Sequence, residues 1–539
     1  MQNRPKVLLV YPGDKSSVGA YSLGLLYVAK SLQKINIDVS ILHLAWDSIK
    51  KIQYENYLFV GISMLTGQMI SDGLKVAKLI KKYNFNIPIV LGGVHPSLLP
   101  EQTLQNELVD IVVVGEGERT IQDLAICLLN QGDLSSVRGI AYKKEGKVII
   151  NQPQDLIDLN TLDMDLPYEL LGKAFYDPTT IPVHTSRGCP HRCSFCYSPA
   201  FNKRRYRAKS AERVVKEVEY LNKKYKIRNF DFGAEDEFFI DIQRAYEIFQ
   251  SIIQKGLKIR WSTFCRFDTF DRAYKKFGQE FMDLMKKSGC YYMSFGAESG
   301  SQRLLDEVIK KDIKVEQILS TIEIMKNNKI PHRVTFMNCW PTETKEDSDA
   351  TFSVIDKISC NNPYILTVIL NLCPFPGTAI FELLNKDYNC QFPDSLEKWG
   401  RWGAPLKLKL IKWFPKKIAR RFYNIAKLSS AGVFFRHFGS YNEYKNYIYS
   451  MGYPYYAGFF SYLASKLQNW RYKNKYFKFA YEAILFAKLI RVYKGARNFF
   501  INEILKKYLP RDIYKALRKR FGPKDRDWTS EKEAKELKS

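Results

Sequence analysis

Ser186-Arg187-Gly188-Cys189-Pro190-His191-Arg192-Cys193-Ser194-Phe195-Cys196-Tyr197 carries the strongest chemical signal in the chain. Its thiols are spaced Cys-x3-Cys-x2-Cys in a loop opened by Gly188 and Pro190, and once ionised they can converge on one soft-metal centre. A structural zinc site or a fully ligated iron-sulfur cluster takes four protein ligands, so three leave one metal position for an outside molecule. An open position is a place for catalysis. The bland alternatives are a Cys3His zinc knuckle through His191 and cysteines that merely pack, but packing thiols have no reason to keep motif spacing.

The elements that must hold this loop begin at Ile181, where apolar runs alternate with amphipathic stretches. Strands are predicted at Pro182–Ser186, Asn229–Gly233, Ile259–Thr263, Tyr291–Phe295, Arg333–Met337 and Leu366–Leu370. The helices between them include Ala211–Lys224, Ile242–Lys255, Gln279–Lys287, Val315–Asn327 and Thr344–Ile358. Six strand-helix units make a partial (β/α)6 barrel of TIM type, whose reacting groups stand at the carboxyl ends of the strands. The cysteine loop follows the first strand, as that rule requires. Later strand ends carry Gly233-Ala234-Glu235, Arg266 with Asp268, Gly296-Ala297-Glu298-Ser299, and the runs holding Cys339 and Cys373. Any one of these acids alone reads as a favourable charge at a helix N-terminus; the shared placement singles them out.

Residues 5–130 show the same alternation. Apolar runs at Val7–Tyr11, Val39–Leu44, Leu58–Ser63, Ile87–Leu91 and Ile111–Val114 predict a doubly wound, Rossmann-like parallel sheet of α/β class. Such sheets bind ligands outside the carboxyl ends of their strands. Ser63-Met64-Leu65, Gly92-Gly93-Val94-His95 and Gly115-Glu116-Gly117-Glu118 stand there, and their glycines would let backbone approach a large flat ligand. A short hairpin, Gly139–Tyr142 with Lys147–Ile150, is assigned to a linker. The expected domains are 1–135, the linker 136–180, the barrel 181–400, and a basic, mainly helical region 401–539.

Cys189-x3-Cys193-x-Phe195-Cys196 resembles the cluster-binding loop of radical S-adenosylmethionine (SAM) enzymes. The resemblance implies a [4Fe-4S] cluster on Cys189, Cys193 and Cys196, SAM chelated by the fourth iron, and reductive cleavage of SAM to methionine and a 5'-deoxyadenosyl radical. It also implies SAM contacts from Phe195, Gly233, Glu235, Arg266, Glu298 and Ser299. The N-terminal region resembles the cobalamin-binding domain, which implies cobalamin contacts from Ser63, Leu65, Gly92, Gly93, His95, Gly115 and Glu116. One departure from that pattern is the run Gly13–Gly19, which has no histidine where many cobalamin proteins carry an axial ligand. Both regions together resemble cobalamin-dependent radical SAM enzymes. Methyl transfer to an unactivated carbon is the implied reaction, with cyclisation, rearrangement and RNA methylthiolation as alternatives. An external electron donor of flavodoxin or ferredoxin type is implied as a partner.

Net charge is +27, and residues 401–539, with 32 Lys and Arg against 9 Asp and Glu, carry +23 of it. Interleaved with aromatic residues, as in Phe477–Arg497, this charge suits an anionic membrane surface or a lipid-like substrate. Nucleic acid ranks lower because no nucleic-acid-binding signature is present. The non-enzymatic alternative is a membrane- or RNA-associated binding protein with a structural cluster. Ten cysteines, three of them wanted as thiolates, argue for a reducing compartment rather than a disulfide framework. The N-terminus lacks a signal peptide's apolar run, and no stretch of roughly 18 apolar residues occurs, so a cytoplasmic protein with peripheral membrane contact is expected.

Overall fold

Strands that read as continuous apolar runs must be covered by helices on both faces. The computed structural model describes residues 4–13, 23–52, 55–172, 180–233, 237–362, 364–403, 406 and 408–430, with positions 467, 470 and 474. Most of the basic region therefore lies outside the described residues, as do the loop at 14–22 and Glu235. The chain divides into one compact unit of residues 1–291, 303–313 and 372–406 and a second of 292–302, 314–371 and 407–539.

The first unit opens with β1 (Lys6–Tyr11), α1 (Leu23–Lys34), β2 (Asp38–His43), β3 (Phe59–Ser63), α2 (Gln68–Tyr83), β4 (Ile89–Gly92), β5 (Ile111–Val113) and α3 (Gly117–Leu129). Two antiparallel strands follow, β6 (Ile140–Lys144) and β7 (Lys147–Ile150). The sheet runs β2-β1-β3-β4-β5-β6-β7, and its first five strands are parallel. Val7, Leu9, Phe59, Val90 and Ile111 pack with Leu32 of α1 and Leu124 of α3. Each such side chain contributes about 1.5–3 kcal/mol over its exposed state. The hairpin expected within the linker instead extends this sheet, Ile111 pairing with Tyr142 and Val113 with Ile140. Ile140, Ala141 and Tyr142 are buried, and their strand closes an edge that β5 would otherwise leave open. Strand order reverses between β1 and β3, and such a switch point is where a doubly wound sheet takes its ligand.

Beyond residue 180 the first unit holds β8 (Ile181–Pro182), β9 (Ser186–Arg187), β10 (Arg207–Ala208), α4 (Ala211–Tyr225), β11 (Asn229–Asp231), α5 (Ile242–Gln254), β12 (Arg260–Cys265) and α6 (Phe267–Lys287). The single strand expected at Pro182–Ser186 is broken: β8 pairs parallel with β11, while β9 turns aside to pair antiparallel with β10. β11 pairs parallel with β12. Phe249 of α5 stacks on Trp261 of β12 at 4.8 Å, and the indole N–H donates to the Ser288 hydroxyl at 3.1 Å, so the buried ring keeps its polar contact. The helix expected from Gln279 is the second segment of α6, because Gly278 (φ +61, ψ −145) leaves the helical region and separates it from an earlier helical segment that starts at Phe267.

β13 (Cys290–Glu298) crosses into the second unit, where α7 (Val315–Asn327), β14 (His332–Asn338), α8 (Lys345–Ser359) and β15 (Ile365–Asn371) follow. β13, β14 and β15 pair in parallel, with Asn338 beside Asn371. α9 (Ala379–Asp387) belongs to the first unit and α10 (Lys416–Ser430) to the second. Within each unit the strands and helices alternate as a (β/α) barrel requires.

The loop after β14 is strained, with Cys339 at φ +72 and Thr342 at φ +64. Glu343 holds it: one carboxylate oxygen accepts the N–H groups of Cys339 (2.6 Å) and Trp340 (3.1 Å), and the other accepts the Ser348 hydroxyl at 2.9 Å. Burial outweighs those bonds and pushes the Glu343 carboxyl up to about 7. The folded chain thus binds a proton that the unfolded chain releases near the ordinary carboxyl value. That contribution is complete below about pH 4.3 and is lost as pH rises through 7. Wild-type stability against urea is therefore expected to fall, relative to Glu343→Gln, between pH 5 and pH 8. Parallel pH profiles for the two proteins would refute this.

Candidate cluster and cofactor sites

Gly188 opens the cysteine loop at φ +83, and a Cβ there would collide with the Arg205 carbonyl, so no other residue fits. The loop then turns, the Cys196 N–H donating to the Cys193 carbonyl at 3.2 Å. Ser194 ties it down. Its N–H donates to the Ile309 carbonyl (2.9 Å), its hydroxyl to the Val308 carbonyl (2.7 Å), and its own carbonyl accepts the Ile380 N–H (2.9 Å). On the outside Arg192 forms a two-point ion pair with Asp312, at 3.0 and 2.8 Å. None of the three cysteines is in a disulfide, and burial pushes the Cys189 thiol up to about 12.

Arg266, the residue before α6, reaches this loop. Its Nη1 donates to the Cys193 sulfur at 3.3 Å while Nε and Nη2 grip the Asp268 carboxylate at 2.9 and 3.2 Å. Glu237, wholly buried and raised above the ordinary carboxyl value by that burial, accepts the Thr269 hydroxyl at 3.0 Å. The Lys311 ammonium stands 5.8 Å from the centre of the Phe195 ring, within cation–π range. Gly233 is glycine for packing: a Cβ would strike the Phe264 backbone nitrogen of the adjoining strand. In the second unit Glu298 ends β13 at φ +62, buried, and the Ser299 hydroxyl stands 3.2 Å from that of Thr351 while accepting the Ser301 N–H at 3.0 Å.

At the other candidate site three strand ends meet. Ser63 pairs with Gly92, the Met64 N–H donates to the Gly92 carbonyl (2.8 Å), and the His95 N–H to the Met64 carbonyl (3.3 Å). Ser97 joins the third end, its hydroxyl donating to the Gly93 carbonyl (2.7 Å) and accepting the Gly115 N–H (2.9 Å). His95 is fully buried, and that burial lowers its imidazole to about 4, so the ring is neutral near pH 7. Its Nδ1 lies 2.9 Å from the Thr66 hydroxyl, and Nε2 has no partner among the described residues. Leu65 is 45% exposed beside them.

Gly93 differs from expectation. At φ +99 its Cβ would lie 2.7 Å from the Met64 carbonyl oxygen, so glycine is required by the protein's own chain there, ahead of any ligand. At Gly92 the nearest atom to a Cβ is Val113 Cβ at 3.9 Å. Gly93→Val is thus expected to cost the apo-protein at least about 1–3 kcal/mol. Gly92→Val should leave it folded and weaken cobalamin uptake, and a hydroxocobalamin titration of Gly92→Val with wild-type affinity would show that the corrin binds elsewhere.

The Glu116 carboxylate is engaged within the protein. It pairs with Arg207 and, at 3.4 Å, with Arg187, whose other nitrogen grips Glu118 at 2.6 Å. Arg187 and Glu118 are both buried, and Arg187 directly precedes the cysteine loop.

Two family models match, a radical SAM superfamily domain over residues 183–355 and a B12 binding domain over 14–125. The uncharacterized methyltransferase PH0819 of Pyrococcus horikoshii is 34% identical over 395 residues, which span 70% of this chain and 82% of that one. The chain is a B12-binding radical SAM enzyme. An anaerobic magnesium-protoporphyrin IX monomethyl ester cyclase of Rubrivivax gelatinosus is 29% identical across 62% of this chain and 60% of its own. In fold, the cobalamin-dependent SAM radical enzyme OxsB superposes over 98% of this chain and 85% of its own, with a TM-score of 0.62 at 17% identity.

A radical SAM domain brings a [4Fe-4S] cluster and SAM, and a B12-binding domain brings cobalamin. The donor set suits such a cluster: three thiols outside any disulfide on one stitched loop, with a buried guanidinium against one sulfur to offset negative charge. Among the described residues no three His, Cys, Asp or Glu side chains are gathered as for a single metal ion. Cluster cysteines each take a different iron and need no such convergence. Trp399 and Trp402 went unnoticed in the sequence. Trp399 stands edge-on to His95 at 5.6 Å and donates to the Gln102 side chain at 2.6 Å, while the Trp402 carbonyl faces Gly67. Arg187 and Lys311 were also missed, since their partners lie far away along the chain.

Proposed function

We propose that this radical SAM enzyme methylates an unactivated carbon of a small-molecule or lipid-like substrate. The observation that carries this is one compact unit holding both the stitched three-thiol loop and the joined strand ends of a B12-binding sheet. PH0819 being named a methyltransferase supports the same reading. The cluster supplies the electron that cleaves SAM, and cobalamin carries the methyl group.

Cys189, Cys193 and Cys196 would hold the cluster, and the residues assigned to SAM are Phe195, Gly233, Glu235, Arg266, Glu298 and Ser299. Ser63, Leu65, Gly92, Gly93, His95, Gly115 and Glu116 border the corrin, with no histidine from the loop after β1 as its ligand. The domain limits are 1–150, with β6 and β7 closing the first sheet in place of the expected limit at 135, and 181–400, joined through 151–180 and followed by the basic region.

Electrons come from an outside donor of flavodoxin or ferredoxin type, which suits a chain whose ten cysteines form no disulfide, in a reducing cytoplasm. No helix among the described residues is long and apolar enough to cross a membrane. The basic region makes peripheral contact with anionic lipid, so full-length protein should float with anionic vesicles at low salt. Protein left at the bottom of the gradient would end the membrane reading.

The decisive experiment needs no substrate. Anaerobically reconstituted protein, given a strong reductant, cobalamin and SAM with a deuterated methyl group, should move the label onto the bound cobalamin, read by mass spectrometry. Formation of 5'-deoxyadenosine without that label would overturn methyl transfer and favour a cyclisation of the kind named for the Rubrivivax protein.

A further inference from the structure

The Arg266 side chain touches a candidate cluster ligand, Cys193, and is itself fixed from several directions. The guanidinium is 6% exposed. Four of its five N–H donors are engaged: Nε and Nη2 on Asp268, Nη2 also on the Lys311 carbonyl, and Nη1 on the Cys193 sulfur. Its main chain is held too, the carbonyl accepting the Thr269 hydroxyl at 3.0 Å. A side chain so committed is fixed in place beside the loop. What it presents to the loop is a permanent positive charge at hydrogen-bond distance from one sulfur.

We propose that Arg266 sets the reduction potential of the cluster, with Asp268 as the counter-charge that positions it and moderates its effect. This rests on the assignment of Cys189, Cys193 and Cys196 to a [4Fe-4S] cluster. Reduction adds one negative charge to the cluster and its thiolates. A cation fixed beside a ligand sulfur stabilises that added charge, more strongly in a buried setting than in water. Hydrogen bonds to sulfur act in the same direction. Arg266 therefore raises the potential, and Asp268, by neutralising part of the guanidinium charge, lowers it. The two neighbouring residues act with opposite signs, which separates this role from a merely structural one.

The test is a redox titration of anaerobically reconstituted full-length protein without SAM, followed by electron paramagnetic resonance. Arg266→Gln keeps an N–H donor but loses the charge, and its reduction equilibrium should fall at least tenfold, ~59 mV for one electron. Arg266→Lys keeps the charge and should stay nearer the wild type. Asp268→Asn should shift the midpoint upward. An Arg266→Gln midpoint equal to or above the wild type, with iron content unchanged, overturns the proposal. Should that variant fail to fold, Asp268→Asn decides alone, and an unmoved or lowered midpoint overturns it. Wild-type protein that takes up no iron would instead mark failure of the cluster assignment, so the two failures read differently.

Discussion

Cys193→Ala is expected to reduce the iron content of anaerobically reconstituted protein to background and to stop formation of 5'-deoxyadenosine from SAM. Cys189→Ala and Cys196→Ala should do the same. A three-thiolate site has no spare protein ligand, so the loss should exceed the roughly 10–100-fold in metal affinity that follows removal of an outer-shell partner. Fold should survive the change. The loop is stitched through Ser194 to the Val308 and Ile309 carbonyls and to the Ile380 N–H, none of which needs a thiol. Apo-protein thermal unfolding should therefore match that of wild-type apo-protein, while iron analysis and chromatography of the SAM products record the loss. Full iron content in all three alanine variants would sink the cluster assignment.

Arg187→Met should destabilise the apo-protein by about 3–5 kcal/mol, the cost of leaving a buried carboxylate without its partner. Arg187 and Glu118 have side chains only 9% and 8% exposed and meet at 2.6 Å, and Glu116 would lose one of its two arginines as well. Replacing both buried partners is gentler. Arg187→Met with Glu118→Leu should recover most of the loss, because apolar groups of similar size can replace a buried pair with little net cost. Urea denaturation of the single and double variants measures this. A single-variant cost below about 1 kcal/mol would show that water reaches the pair and that the ion pair behaves as a surface one.

Much of the architecture was legible because period and chemistry agreed. α4 spans Ala211–Tyr225 almost as its amphipathic pattern predicts, with Ser210 accepting the Arg213 N–H as its cap. The cysteine spacing alone located the loop that the fold then stitches down. Errors arose where tertiary partners decided. Pro182–Ser186 reads as one strand, yet Arg187 is drawn aside by Glu118, which lies 69 residues earlier, and β9 goes with it. The helical segment before the break at Gly278 was not predicted, and it is packed onto α5 by the ring stacking of Tyr246 on Phe277 (4.5 Å). The two arginines that pair with Glu116 were likewise invisible in the sequence, since they lie far along the chain. The Gly93 requirement was foreseen, but its cause is the Met64 backbone.

Trp399 and Trp402 also bear on the order in which the molecule assembles. The strand ends of the N-terminal sheet emerge from the ribosome some three hundred residues before the tryptophan pair that packs over His95 and Gly67. At about 5–20 residues per second, that interval is roughly 15–60 s. Throughout it His95 and its neighbours stand without their aromatic cover, and Gly67 without the Trp402 carbonyl. An N-terminal fragment would remain in that early condition permanently. Measurements on such a fragment describe the strand ends without the tryptophan pair, and the covered state belongs to the full chain alone.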